Sequence, residues 1–299
     1  MKFSTQPTGW QTALVLTIGI LAVSTAAVLV RLATREAHLS TVGFSLVLAA
    51  SRLIIASGVL LPTWHIRRNR PTHSALCYAG AAGIALAAHF ATWITSLSYT
   101  SIASSTTIVT TTSIWVALLS WQWFGEKPNR VMRVGIAIAL IGGITIGWQT
   151  SEATGTNPLL GNGLALIGAW TASLYLLLGR EAQRRDLDVR SYVTIAYSVA
   201  AIELLPLPLI AGASYTGYSP LTYGLILLMA IVPQLIGHTS LNWAVRWVSP
   251  TLVSVLTLFE PVISSGLALV LFGEVPGMRV LTGAMILLIG VAISIAANR

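Results

Sequence analysis

Phe124-Gly125-Glu126-Lys127-Pro128 closes one long apolar run, and Phe272-Gly273-Glu274-Val275-Pro276 closes another 148 positions later. Two such similar turns mark a duplicated unit, and the correspondence spreads outward from them. Downstream, Gly135 and Gly142 match Gly283 and Gly290 at the same offset. Upstream, Ser101 matches Ser249 and Thr106 matches Ser254, again at 148. Gly19, Ser24, Arg31 and His89 match Gly168, Ser173, Arg180 and His238 at 149. An offset constant to one residue over the whole unit divides the chain into halves 1–149 and 150–299.

The surroundings of these halves follow from composition. Of 299 residues, 55% are hydrophobic and 9% charged, where a soluble domain carries about a quarter charged residues. So few charges cannot clothe a water-facing surface, so the solvent is lipid. Apolar runs read as spans 1 to 10 at 11–33, 41–64, 75–97, 102–124, 131–149, 159–178, 191–213, 220–243, 250–272 and 280–297. Each can cross ~30 Å as a helix, and the ~10-residue alternation of a membrane barrel is absent. The first run continues as an ordinary span with no cleavage site after it, and so reads as retained. The net charge of +8 does not point to nucleic acid, because the positive residues sit in short loops and form no basic face. The single cysteine, Cys77, excludes an internal disulfide and any multi-cysteine metal site. No cofactor is expected.

Lys and Arg set the orientation. With the N-terminus in the cytoplasm, the inner side holds Lys2, Arg67, Arg68, Arg70, Lys127, Arg130, Arg133, Arg180, Arg184, Arg185, Arg190, Arg246 and Arg299. The outer side holds only Arg31, Arg35 and Arg279, and Arg52 lies within a span. Both termini are therefore expected in the cytoplasm of a cell with this protein in its inner membrane. Five spans per half is an odd number, so the second half enters from the opposite side. The fold class is thus an all-α polytopic membrane protein, ten transmembrane helices as two inverted five-helix repeats, an architecture of secondary transporters.

The Gly-Glu-x-Pro turns at 125–128 and 273–276, Arg52 in span 2, Glu260-Pro261 in span 9 and the five-plus-five layout together resemble the EamA-type transporters of the drug/metabolite transporter superfamily. The resemblance covers essentially the whole chain. It implies a central cavity lined mainly by spans 1, 3, 4, 6, 8 and 9, with spans 5 and 10 at the periphery. One departure is Ile114, which stands where a proline is common in the family's span 4.

Ionisable residues inside a membrane are rare and are functional candidates by default. Glu260 precedes Pro261, whose ring frees a backbone carbonyl and kinks the helix; the pair reads as a hinge or proton site, or as a protonated carboxyl bonding the broken helix. Arg52 keeps its charge and needs a partner or a water path, with Glu203 in span 7 its approximate counterpart. His89 and Trp93 share a face of span 3, as His238 and Asn242 do of span 8, beside Trp243. Thr110 belongs to a hydroxyl-rich run over 100–113, and Trp170 and Tyr175 add aromatic surface on span 6. Substrate contact is expected at His89, Trp93, Thr110, Trp170, Tyr175, His238, Asn242 and Trp243, and coupling or gating at Glu260, Pro261, Arg52 and Glu203. Trp10, Trp64, Trp121, Trp123 and Trp148 lie near span ends and read as interface anchors. The glycine faces of spans 5 and 10 serve packing within one chain or a homodimer.

The function expected is secondary transport, as an exporter, of a small metabolite such as an amino acid. Span 1 carries no acid over 11–30, which argues against antiport of lipophilic cations through a carboxylate there. A membrane-embedded enzyme or flippase acting on a lipid or lipid-linked substrate is the alternative, although the chain has no HExxH, GxSxG or P-loop. A purely structural membrane subunit would not need buried charges.

Overall fold

Serine, threonine, asparagine and aspartate begin these helices. In the computed structural model, which describes residues 6–62, 71–147, 156–273 and 278–296, the side chains of Thr41, Thr72, Ser101, Asn157, Asp188, Ser219 and Ser249 each accept a hydrogen bond from an amide in the first turn. Such caps satisfy donors that a helix start leaves free. The repeat-matched Ser101 and Ser249 are thereby explained as caps. The other ends are marked by backbone of left-handed twist. Gly125 and Gly273 have φ of 68° and 67°, a conformation glycine adopts without steric cost. His38 and Asp186 also have positive φ, and they too lie 148 positions apart.

The helices, in order, are α1 (Gly9–Ser24), α2 (Ala26–Glu36), α3 (Val42–Leu60), α4 (His73–Ser96), α5 (Ile102–Val109), α6 (Thr112–Phe124), α7 (Arg130–Gly147) and α8 (Pro158–Arg184). They continue with α9 (Val189–Leu204), α10 (Leu207–Ile210), α11 (Pro220–Met229), a π-helical stretch Ala230–His238, α12 (Thr239–Ala244), α13 (Pro250–Leu256), a 3₁₀ turn Thr257–Phe259, α14 (Glu260–Phe272) and α15 (Met278–Ala296). All regular elements among the described residues are helical. Among the described residues, seven helical segments are long and apolar enough to cross a bilayer: Gly9–Glu36, Val42–Leu60, His73–Ser96, Pro158–Arg184, Val189–Ile210, Pro220–Ala244 and Pro250–Phe272.

Two boundaries differ from the apolar runs. α8 continues past 178 to Arg184, held in its last turns by ion pairs of Glu181 with Arg184 and Arg185. α9 stops at Leu204, before Pro206 and Pro208, because proline cannot donate to the ladder. Glu274 to Pro276 of the second Gly-Glu-x-Pro turn, together with Lys2, Trp64, Arg67, Arg68, Arg70, Trp148 and Arg299, lies outside the described residues.

The main packings join the halves. α4 lies along α8 and α9, α3 along α9, α1 along the π-helical stretch and α12, and α7 along α15. In lipid, apolar side chains gain nothing by leaving the solvent, so close approach of small residues carries helix association. Gly83 abuts Ala196 and Val199, and Gly168 abuts Trp93. The glycine faces of α7 and α15 meet each other inside one chain, with Gly142 against Leu287 and Gly290 against Ala139. Around this pair lies a smaller cluster containing Met132, Ile136, Leu258 and Val291, separate from the main core. Trp10, Trp121 and Trp123 are exposed near helix ends.

Candidate functional site

Hydroxyl groups break the fourth span. Thr110, Thr111, Thr112 and Ser113 each donate their hydroxyl to the carbonyl three residues back, at 2.8, 2.7, 2.6 and 3.2 Å. Such bonds compete with the amide ladder and bend helices. The ladder tightens there to Thr111 N→Ile108 O and Ser113 N→Thr110 O, and α5 separates from α6. The break therefore forms with Ile114 in the proline position. The second half makes its own break differently. Ser254 and Thr257 bond back in the same manner, a 3₁₀ turn follows, and Pro261 opens α14. Glu260 stands at the first position of that helix, where the positive end of the backbone dipole favours an anion.

Between the two breaks lies a cavity of about 70 Å³. Its walls are Val23 and Ala26 of α1–α2, His89 and Trp93 of α4, Thr110 and Thr112 at the first break, Tyr175 of α8, His238 and Leu241 of span 8, and Thr257 and Glu260 at the second break. Spans 1, 3, 4, 6, 8 and 9 thus all contribute. His89 Nδ1 lies 2.9 Å from the Gly168 carbonyl; a carbonyl only accepts, so Nδ1 carries the proton and Nε2 is left as an acceptor. The His89 ring stacks on Trp93 at 5.9 Å and meets His238 edge-on at 6.4 Å. The Trp93 indole N–H is buried with no acceptor among the described residues, and Glu260 makes no hydrogen bond among them. A free indole donor and a free carboxyl group in a shared cavity are groups that a bound molecule would satisfy.

Several residues expected at the site are placed elsewhere. Asn242 stands one layer behind, its side-chain amide donating to the Tyr175 hydroxyl, while its backbone carbonyl accepts from Gln183. Trp170 is 44% exposed on the outer side of α8, edge-on to Trp115. Trp243 packs against Trp247, away from the cavity. Glu203 does not pair with Arg52. Tyr197, Ala200, Ala201 and Leu204 turn inward, so Ile202 and Glu203 face outward and are exposed. Helix rotation, which an all-apolar span does not encode, decides these cases.

Arg52 is fully buried, and its three guanidinium nitrogens have no hydrogen-bond acceptor among the described residues. Its guanidinium lies 4.1 Å from the centre of the Phe90 ring, a favourable cation–π arrangement. It is close enough to Glu260 to interact electrostatically. The sequence did not mark Phe90, which packs against both Arg52 and His238, or Gln234, whose buried side-chain amide has no hydrogen-bond partner among the described residues. A lone amide beside Pro233 in an apolar span was the available signal.

Equivalent seams on the two sides of the cavity differ. Where α8 meets α5, Asn162 Oδ1 accepts from Thr100 at 3.1 Å and Ser104 at 3.0 Å, and Gly161 abuts Thr100. That seam is shut. Where α1 meets α13 and α14, a cleft of about 900 Å³ runs from Pro7 and Arg246 inward to Ile20 and Ile263.

Apolar bilayer-length helices around a small polar centre are the architecture of a multi-pass membrane protein. The family model of the EamA-like transporters matches residues 10–148 and again 159–296, and the chain belongs to that family, within the drug/metabolite transporter superfamily. An uncharacterized transporter of Archaeoglobus fulgidus is 22% identical, with 83% of this chain and 87% of that protein covered. One of Clostridium kluyveri is 23% identical over 68% and 67%. A crystal structure of a protein with 18% identity has the same fold, with a TM-score of 0.73 over 98% of this chain and 99% of that one.

Proposed function

We propose that the chain is a secondary transporter that exports a small metabolite such as an amino acid across the inner membrane, with both termini in the cytoplasm. In this reading ten spans form two inverted five-span halves around the central cavity. The observation that carries it is the inequality of the two equivalent seams, one shut by Asn162 and one open beside α1. Because the halves are related, exchanging their conformations would open the shut seam and shut the open one. A cavity of about 70 Å³ holds only about two waters, whereas ligand pockets occupy roughly 300–1,000 Å³. The cavity must therefore widen to take substrate, which alternating access supplies. Glu260 would receive an ammonium group, and Trp93 and His89 would orient the rest. With α7 and α15 packed on each other, the single chain is the transporting unit.

The test is purified protein in liposomes, offered radiolabelled amino acids and sugars under imposed pH gradients. Uptake of at least one amino acid above protein-free liposomes is expected. If no solute moves under any gradient, the reading passes to an enzyme acting on a lipid, since His89, His238 and Glu260 share one cavity.

Arg52 gives a second test. Arg52 has no hydrogen-bond acceptor among the described residues, so an apolar side chain of similar length breaks no hydrogen bond and removes the desolvation cost of a buried charge. Arg52→Met is expected to leave stability unchanged or raise it by about 1 kcal/mol, while flux falls. Thermal unfolding in detergent and the liposome assay measure the two effects. Loss of stability in Arg52→Met would make the arginine structural.

A further inference from the structure

The open cleft beside α1 has the dimensions and chemistry of a lipid site. Gly9 to Ile20 spans about 17 Å at 1.5 Å per residue, roughly half of a ~30 Å hydrocarbon core. The cleft is therefore one leaflet deep. Leu16, Ile20, Leu252, Leu256, Phe259 and Ile263 make its walls apolar. It opens sideways, because Leu21, which lines it, belongs to the outward strip of α1 that also exposes Trp10, Leu14 and Ile18. Its end at Gln6 and Arg246 is polar. Among the described residues, Arg246, exposed there, makes no ion pair, and the buried Trp247 indole N–H has no acceptor. Arg246 and Trp247 also line a second hollow of about 390 Å³ with Arg180, Gln183, Arg184 and Ser249. Of its three arginines, Arg180 is held by Glu126 at 2.7 Å and Arg184 is loosely paired with Glu181 at 3.6 Å.

We propose that this cleft binds one anionic phospholipid, with its acyl chain along α1 and its headgroup at Arg246 and Arg184. Charge selects the class of lipid, since a basic hollow at the edge of the hydrocarbon attracts anionic headgroups. The equivalent seam between α5 and α8 is shut, so the bound lipid stabilises the conformation described here and disfavours its exchange. The proposal requires only that the chain sits in a bilayer, and its readout does not depend on transport.

Native mass spectrometry of the full chain in mild detergent tests it, with added dioleoyl phosphatidylglycerol or dioleoyl phosphatidylcholine. One phosphatidylglycerol should remain bound at collision energies that strip phosphatidylcholine. In Arg184→Gln/Arg246→Gln, retained phosphatidylglycerol should fall roughly thirtyfold, as expected for two lost charge contacts at a membrane surface. Thr17→Trp, which fills the cleft, should lower retention while leaving the arginines intact. Arg279→Gln, on the sparsely charged face, should change nothing. Gel filtration confirms that each variant is folded, and Thr17→Trp stands alone if the double variant is not. Equal retention of the two lipids, or unchanged retention in Thr17→Trp, overturns the proposal. Displacement of the lipid by excess inorganic phosphate also overturns it, by assigning the arginines to free phosphate.

Discussion

Leucine at Gly290 is expected to leave little folded protein, with a loss of about 3 kcal/mol or more, at or above the top of the usual range for overpacking. The reason is what a side chain would meet. A Cβ at Gly290 points at the backbone of Ala139 and Gly135, and one at Gly142 points at the backbone of Leu287 and Gly283. Backbone cannot rotate aside as a side-chain tip can. α7 and α15 would have to separate, and the cluster of Met132, Ile136 and Val291 would open with them. Gly80 is the control: it lies within α4 with nothing near its missing Cβ. Gly80→Ala should be neutral or stabilise by up to ~1 kcal/mol through helix propensity. Yield of monodisperse protein and thermal unfolding in detergent read both. A Gly290→Leu protein as stable as the wild type would mean that the two helices are not packed as described.

Glu260→Gln is expected to reduce flux to the level of protein-free liposomes while leaving the fold intact. Glutamine keeps the size and the hydrogen-bonding oxygen of glutamate but loses the charge. Pro261 remains, so the break before α14 remains. If the carboxyl merely bonded the broken helix, glutamine would serve as well and transport would survive. In the structure Glu260 lines the cavity and makes no hydrogen bond among the described residues, so its capacity to ionise is the feature left to act. Full transport by the glutamine variant would remove Glu260 from coupling and from recognition of an ammonium group. Glu203→Gln, on the outward face of α9, should be without effect.

The broken helices show how far reading residues went. The hydroxyl run over 100–113 was visible, but its consequence was not. A proline announces a kink by its ring, whereas four consecutive hydroxyls bend a helix only if each turns back on its own chain, which depends on rotamers chosen in the packed state. Arg52 was conspicuous as an intramembrane charge. Its companion was not Glu203 but the face of Phe90, a residue that looks like ordinary packing in an apolar span. Asn242, Trp170 and Trp243 stand outside the cavity that His89, Trp93, Thr110, Tyr175, His238 and Glu260 line.

Residence in the bilayer, the all-helical class and the doubled unit were decided by the sequence, because they depend on composition, run length and the order of residues along the chain. The rotation of each span about its axis, the packing of Arg52 on Phe90 and the opening of one seam while its equivalent is shut were decided only by the tertiary structure. Spans that are apolar on every side carry no stripe to mark the inward face, so contacts between small residues and a few hydroxyls make that choice once the helices meet.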